Sequence, residues 1–185
     1  MIDYKKYKWF FTRSGKLVVG GKSADSNDSL LNELKKMHKE LVVMHTKAPG
    51  SPFCAIIAPV NTVSNEDLHE SAIFTGCFSR AWKEGKSTAT VHSFKLSQLS
   101  KEGDMKEGSW NVKGRVRDFI VKLELVITKQ NGIVRAVPKQ SVSDEEIIAT
   151  AAPGKIDKVK VKTDNLKVNK EELISALPAG GVKIT

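Results

Sequence analysis

Between two apolar stretches that alternate like strands, Phe119 to Thr128 and Ile133 to Val137, the chain carries Asn131-Gly132. An Asn-Gly pair accepts the positive φ that both central positions of a two-residue hairpin loop demand, so these stretches are committed to antiparallel pairing. That fixes a sheet with one buried face. Alternation recurs in Thr88 to Phe94 and in Ser109 to Lys113, while Leu41 to Met44 and Phe53 to Ile57 are short, continuously apolar runs of the buried-strand kind.

The rest of the chain supplies partners for that sheet. Trp9-Phe10-Phe11, a turn at Arg13-Ser14-Gly15 and Leu17-Val18-Val19 read as a hairpin running into Gly20-Gly21-Lys22. Asn27 is the expected cap of a helix carrying Leu30, Leu34, Met37 and Leu41 on one face, and Ser64 with Asp67 makes a capping box for a second helix reaching about Glu84, the longest expected. After Pro138 come a capping box at Ser143 and Glu146, a strand-like Lys155 to Thr163 and a capped segment at Asn169 and Glu172. The fold class expected is α+β: a mixed, largely antiparallel sheet covered by two main helices over residues 1–138, with a small α/β C-terminal appendage over 139–185.

Charge bears first on partners. Thirty Lys and Arg stand against 21 Asp and Glu, for a net charge of +9, and all but one unit of that excess lies before residue 139. Such an excess favours polyphosphate partners through counterion release. No apolar run approaches the ~20 residues of a bilayer span, and Met1 to Lys6 lacks the order of a signal peptide, so a cytoplasmic chain without membrane contact is expected. Cys54 and Cys77 are expected to be buried thiols.

Sites of chemistry are sparse. Gly15 to Ser23 ends in Gly-Lys-Ser, but five residues rather than four separate Gly15 from Gly21, and Val18-Val19 belongs to a strand, so it is no phosphate-binding P-loop. His38, His45, His69 and His92 form no zinc spacing with the cysteines, no nucleophile elbow is present, and no cofactor is expected. His45 ends a strand before a Pro-Gly loop, where it can reach a ligand or bond its own loop. Phe74, Phe78 and Trp82 recur at helical spacing and are expected in the core. Lys113-Gly114-Arg115-Val116-Arg117 forms a basic turn able to point cations at phosphates, whereas Lys158, Lys160 and Lys162 read as a solvent-facing strand edge.

Four segments in order resemble the NFACT-R domain, the RNA-binding module of the NFACT ribosome quality-control factors, which include the fibronectin-binding-protein-A-like proteins. Trp9-Phe10, Gly15, Val18-Val19-Gly20-Gly21-Lys22 and Asn27-Asp28 resemble its opening; Val43-Met44-His45-Thr46-Lys47 with Pro49-Gly50-Ser51 resembles its histidine loop, one residue shorter. Ser79-Arg80-Ala81-Trp82 is similar to the end of its helix, and Gly108 to Arg115 to its late strand and turn. Lys101 to Met105 stand where the family carries a Pro-Ser-Gly-containing stretch. The resemblance covers about residues 7–137. Family members associate with the large ribosomal subunit, hold tRNA and support C-terminal tailing. These residues include no counterpart of the family's N-terminal module or coiled-coil arm, so a stand-alone module without tailing activity is expected.

The expectation is therefore a non-enzymatic RNA-binding module for structured RNA, tRNA or rRNA, with the ribosome as a further partner. Its surface would join Gly20, Gly21, Lys22, His45, Lys47, Gly50, Ser51, Arg80, Lys113, Arg115 and Arg117, with His45 or an exposed Trp9 stacking on an unpaired base. Three other readings stay open: an adaptor docking a protein partner through residues 139–185, a small-ligand enzyme using His45, and a binder of DNA rather than RNA.

Overall fold

The computed structural model describes all 185 residues. In chain order its strands are β1 (Lys8–Phe11), β2 (Leu17–Gly20), β3 (Val42–Thr46), β4 (Cys54–Ile56), β5 (Thr88–Lys95), β6 (Leu99–Ser100), β7 (Asn111–Val112), β8 (Arg117–Lys122), β9 (Leu125–Gln130), β10 (Ile133–Val137), β11 (Ala149–Asp157) and β12 (Gly181–Ile184). The helices are α1 (Ala24–Lys36), α2 (Asn65–Cys77), α3 (Arg80–Lys83) and α4 (Lys170–Ala176). The fold is α+β, and every strand pair is antiparallel.

Six strands form the main sheet in the order β1-β2-β4-β3-β5-β8. Side chains alternate across it with period two and build two cores. Trp9, Val19, Val43, Ala55 and Phe94 face α1, where they bury Leu30, Leu31 and Leu34. Phe10, Val18, Val42, Met44, Cys54, Ile56 and Val91 face the other way, onto Phe74 and Cys77 of α2 and a second sheet ordered β10-β9-β11-β12. Both cysteines are free and buried.

Several local expectations shift. Ser23, not Asn27, caps α1: its hydroxyl accepts the Ser26 N–H at 3.1 Å, while Ser26 Oγ accepts from the Ser23 and Lys22 amides. The second helix breaks at Ser79, whose hydroxyl donates to Gly76 O at 2.6 Å and accepts from Ala81 N–H, offering the backbone an alternative to the helical ladder. The segment from Phe119 to Thr128 is two strands, β8 in one sheet and β9 in the other. Inward alternation continues through Val121, Leu123, Leu125 and Ile127 because both sheets share one core, so the pattern holds no sign of the change of partner.

The Asn131-Gly132 hairpin forms with φ values of 50° and 73°. Beyond it, β11 pairs with β9 through Ala149↔Ile127 and Ala151↔Leu125, so the strands on either side of Pro138 belong to one sheet. The expected strand Lys155 to Thr163 ends at Asp157, whose carboxylate accepts the Val159 N–H at 3.0 Å and starts a tight turn. Lys158 is no solvated edge residue: its ammonium donates to the carbonyls of Ile174 and Leu177 at the end of α4, satisfying acceptors the helix leaves open. No helix is long and apolar enough to cross a membrane.

Candidate nucleic-acid interface

A cleft of about 590 Å³ opens across the ends of β1, β2, β3 and β4. Six residues of the proposed surface meet there: Gly21, Lys22, His45, Lys47, Gly50 and Ser51. Lys8, Asn27, Phe53, Phe78, His92 and Trp110 complete the walls, with Glu107 contributing a carboxylate.

The walls are held by side chains that bond to backbone. Asn27 Oδ1 accepts the Phe53 N–H at 3.0 Å, and a Cβ at Gly21 would lie only 2.0 Å from that oxygen, so glycine is required for the close approach. A Cβ at Gly20 would lie 2.7 Å from Cys54 Sγ. The glycine pair thus lets the β2 end pack against α1 and β4. Asp28 accepts from Lys101 Nζ at 2.6 Å, the Gly108 N–H at 3.0 Å and Trp110 Nε1 at 2.8 Å. Burial raises its pKa, but these donors outweigh burial and leave it below the ordinary carboxylate value. The result is a fixed Trp110 on one wall.

The loop from Thr46 to Pro52 is equally tied. Ser51 Oγ accepts the Thr46 N–H at 2.9 Å and donates to Pro52 O, Thr46 Oγ1 donates to Ala48 O, and Gly50, at φ +96°, accepts the Arg80 N–H at 2.7 Å. His45 Nδ1 donates to Thr46 O at 2.7 Å and its ring lies 4.4 Å from that of Phe53, tilted by 35°. Burial lowers the His45 pKa, so its imidazole is neutral at neutral pH. His92, directly across the ladder, pairs with Asp118 at 3.2 Å.

Lys8 is the least expected member. In phase with Phe10, it points to the α2 side, with its ammonium 4.6 Å from the Phe78 ring centroid and no carboxylate partner. Burial first, then the field of Lys158, push its pKa down to about 8; Cys54 opposes them, and Lys22 and Arg135 add smaller lowering contributions. Burying a cation without a compensating carboxylate is costly.

A family model described as the NFACT protein RNA binding domain matches residues 6–114, more than half of the chain and every residue named in the cleft. The chain belongs to that family. It is also 28% identical to the archaeal Rqc2 homolog aRqcH of Methanocaldococcus jannaschii, over 98% of this chain and 29% of the relative. The chain thus spans under a third of that protein. Among solved structures, the C-terminal part of the fibronectin/fibrinogen-binding protein from Streptococcus suis superposes with a TM-score of 0.53 at 19% identity, covering 77% of this chain and 47% of that one. That likeness shows the fold.

The other expected residues lie outside the cleft of this NFACT RNA-binding domain, and Arg115 and Arg117 lie just beyond the matched residues. Gly20 is buried and does not line the cleft. Arg80 lines a second cavity of about 530 Å³ on the far side of the same loop, with Lys47, Glu84 and Lys86. Lys113 pairs with Glu102 at 2.9 Å, and the exposed Arg115 follows Gly114 in a turn whose carbonyls at Lys113 and Arg115 accept from Gln98. Arg117 lies over Phe119 and donates to Asn65 Oδ1, on the α2 face. Trp9 is only 2% exposed, with the Arg135 guanidinium stacked on it, so it offers no face to a base; its alternation with Phe10 had sent it into the α1 core. Trp110 and Asn27-Asp28 carried a signal in the family motif, and Lys8 one in its even spacing from Phe10. Phe53 and His92 carried none.

Proposed function

We propose that this domain is a non-enzymatic binder of structured RNA, tRNA or rRNA, in ribosome quality control. The observation that carries the reading is the set Lys8, Lys22, Lys47 and Arg80 around one rigid loop, none of them ion-paired, while Lys16, Lys101 and Lys113 elsewhere spend their charge on carboxylates. Unpaired cations release counterions when they meet phosphate, and a loop locked beforehand pays little ordering cost. Family membership and the likeness to an Rqc2 homolog support the same reading and the ribosomal setting.

One hydroxyl and one thiol group of the cleft region support the non-enzymatic reading. The Ser51 hydroxyl proton goes to Pro52 O, and burial pushes the Cys54 thiol up to about 12, so neither serves His45 as a nucleophile. The test is binding of tRNA, an unstructured single strand and duplex DNA across a salt series. Lys22→Ala with Lys47→Ala is expected to weaken tRNA binding and to reduce the salt slope by about one unit per lysine. Unchanged affinity and slope in that variant would reject the surface.

A further inference from the structure

Resting on that RNA-binding reading, we infer that the cleft admits one unpaired nucleotide of the bound RNA, its base against Trp110 and His45 and its phosphate on Lys8. Shape is the first argument. A duplex presents its phosphates on a broad convex surface and meets a protein at the rims of such a cleft, whereas a cavity of about 590 Å³ matches a nucleotide-sized ligand.

Chemistry is the second. Trp110 is half-buried and fixed through its Nε1–H to Asp28, and the half-buried His45 ring is braced by Phe53 and oriented by its bond to Thr46 O. Both rings keep part of their surface in the cleft, and rigid, partly exposed rings are the platforms on which splayed-out bases stack.

Lys8 is the third and most specific argument. A lysine ammonium over Phe78 needs no ligand if it also reaches water, but this one is desolvated enough to lose most of the usual margin between an ammonium and neutral pH. Methionine would fill the same space without that cost. A phosphate entering beside Phe78 supplies the missing counter-charge, which the protein itself withholds.

The test uses the full chain and a 5′-phosphorylated RNA hairpin, either blunt or extended by one unpaired nucleotide at that end. The extended hairpin is expected to bind about tenfold more tightly, in line with one base stacked on an aromatic platform. Lys8→Met and, separately, Trp110→Ala are expected to collapse the difference between the two RNAs. In the wild-type chain, where Trp9 and Trp82 are buried, the extended hairpin should quench tryptophan emission and the blunt one should not. This readout stands even if a variant fails to fold. Equal binding and equal quenching by the two hairpins would overturn the nucleotide site while leaving RNA binding intact. An increment that survives Lys8→Met in a folded variant would overturn the role of Lys8. Absence of binding to either hairpin and to tRNA would remove the RNA-binding reading itself.

Discussion

The side-chain amide of Gln130 pairs with both main-chain groups of Phe11: Oε1 accepts its N–H at 2.8 Å and Nε2 donates to its carbonyl at 2.9 Å. A residue at the end of β9 thereby acts as a one-residue strand along the free edge of β1 and stitches the two sheets together. Gln130→Ala should cost about 1–3 kcal/mol, since both half-buried backbone groups lose their partners. Gln130→Glu should cost nearly as much, because a carboxylate cannot donate to the Phe11 carbonyl. Urea midpoints read both, and tRNA affinity below the midpoint should stay at the wild-type value.

Asp67 sets the acid limit of the fold. Its side chain is 1% exposed, accepts from Thr12, Ser14 and the Ser64 N–H, and pairs with Lys16 at 2.9 Å. Burial raises its pKa, but these donors reverse the shift and hold it well below the ordinary carboxylate value. Because the folded pKa lies below the unfolded one, the stabilisation is fully present above about pH 4 and is lost as pH falls toward the folded value. Glu70 runs the other way: burial raises it despite bonds from Ser141 and Arg13, so its contribution fades as pH rises above about 4.5. Urea midpoints followed between pH 3 and 6 should therefore fall on acidification, and Asp67→Asn should flatten the acid limb and lower the plateau by roughly 2–4 kcal/mol.

Lys8→Met should stabilise the fold while impairing RNA binding. Lowering of its pKa to about 8 means that the charged form is disfavoured on folding, so wild-type stability rises as pH passes from about 8 toward the ordinary lysine value. Replacing the ammonium with a thioether should recover about 1–3 kcal/mol at pH 7. Thermal melts of wild type and variant at pH 7 and pH 10 check it: the gap should shrink at the higher pH.

Gly21→Ala tests whether the glycine pair acts through packing. An alanine Cβ would collide with the Asn27 carboxamide and backbone, and Asn27 in turn holds the Phe53 amide. A loss of about 2–4 kcal/mol is expected, together with weaker RNA binding as the cleft wall moves. Asn27→Ala leaves the Phe53 N–H unpartnered, yet in the double variant it should relieve part of the Gly21→Ala penalty. A thermodynamic cycle over the two positions measures that coupling.

Arg115→Ala with Arg117→Ala separates the cleft from the neighbouring basic turn. Arg117 is already engaged with Phe119 and Asn65, and Arg115 lies outside the cleft, so this pair should weaken tRNA binding less than Lys22→Ala with Lys47→Ala. Salt titrations of the two double variants make the comparison.

What could be read from the sequence was whatever depends on neighbours along the chain. The hairpins at Gly15 and at Asn131-Gly132, the capping box at Ser64 and the capped α4 all rest on contacts within a few residues, and all formed. Clustering of His45, Lys47, Gly50 and Ser51 with Gly21 and Lys22 followed from their places at strand ends. What escaped depends on pairing across the fold. Asn27 has the chemistry of a cap but is one turn too late, and its amide is consumed by Phe53 from another strand. Trp9 and Lys8 differ by one step along β1, and only the placement of α1 and α2 decides which is buried in a core and which faces the cleft. Leu123 and Glu124 separate strands of different sheets, yet no polar residue breaks the inward pattern around them.

That last feature has a mechanical side. Only Leu123 and Glu124 stand between β8 and β9, and the Leu123 amide is itself tied to Ser87 O. The passage from one sheet to the next is therefore a corner without slack, set in close-packed side chains that transmit load rather than absorb it. A pull on the C-terminal strand β12 enters β11, then β9, and reaches β8 and β5 through that corner. Force applied at either end of the molecule should be felt at the other as strain before it is felt as movement.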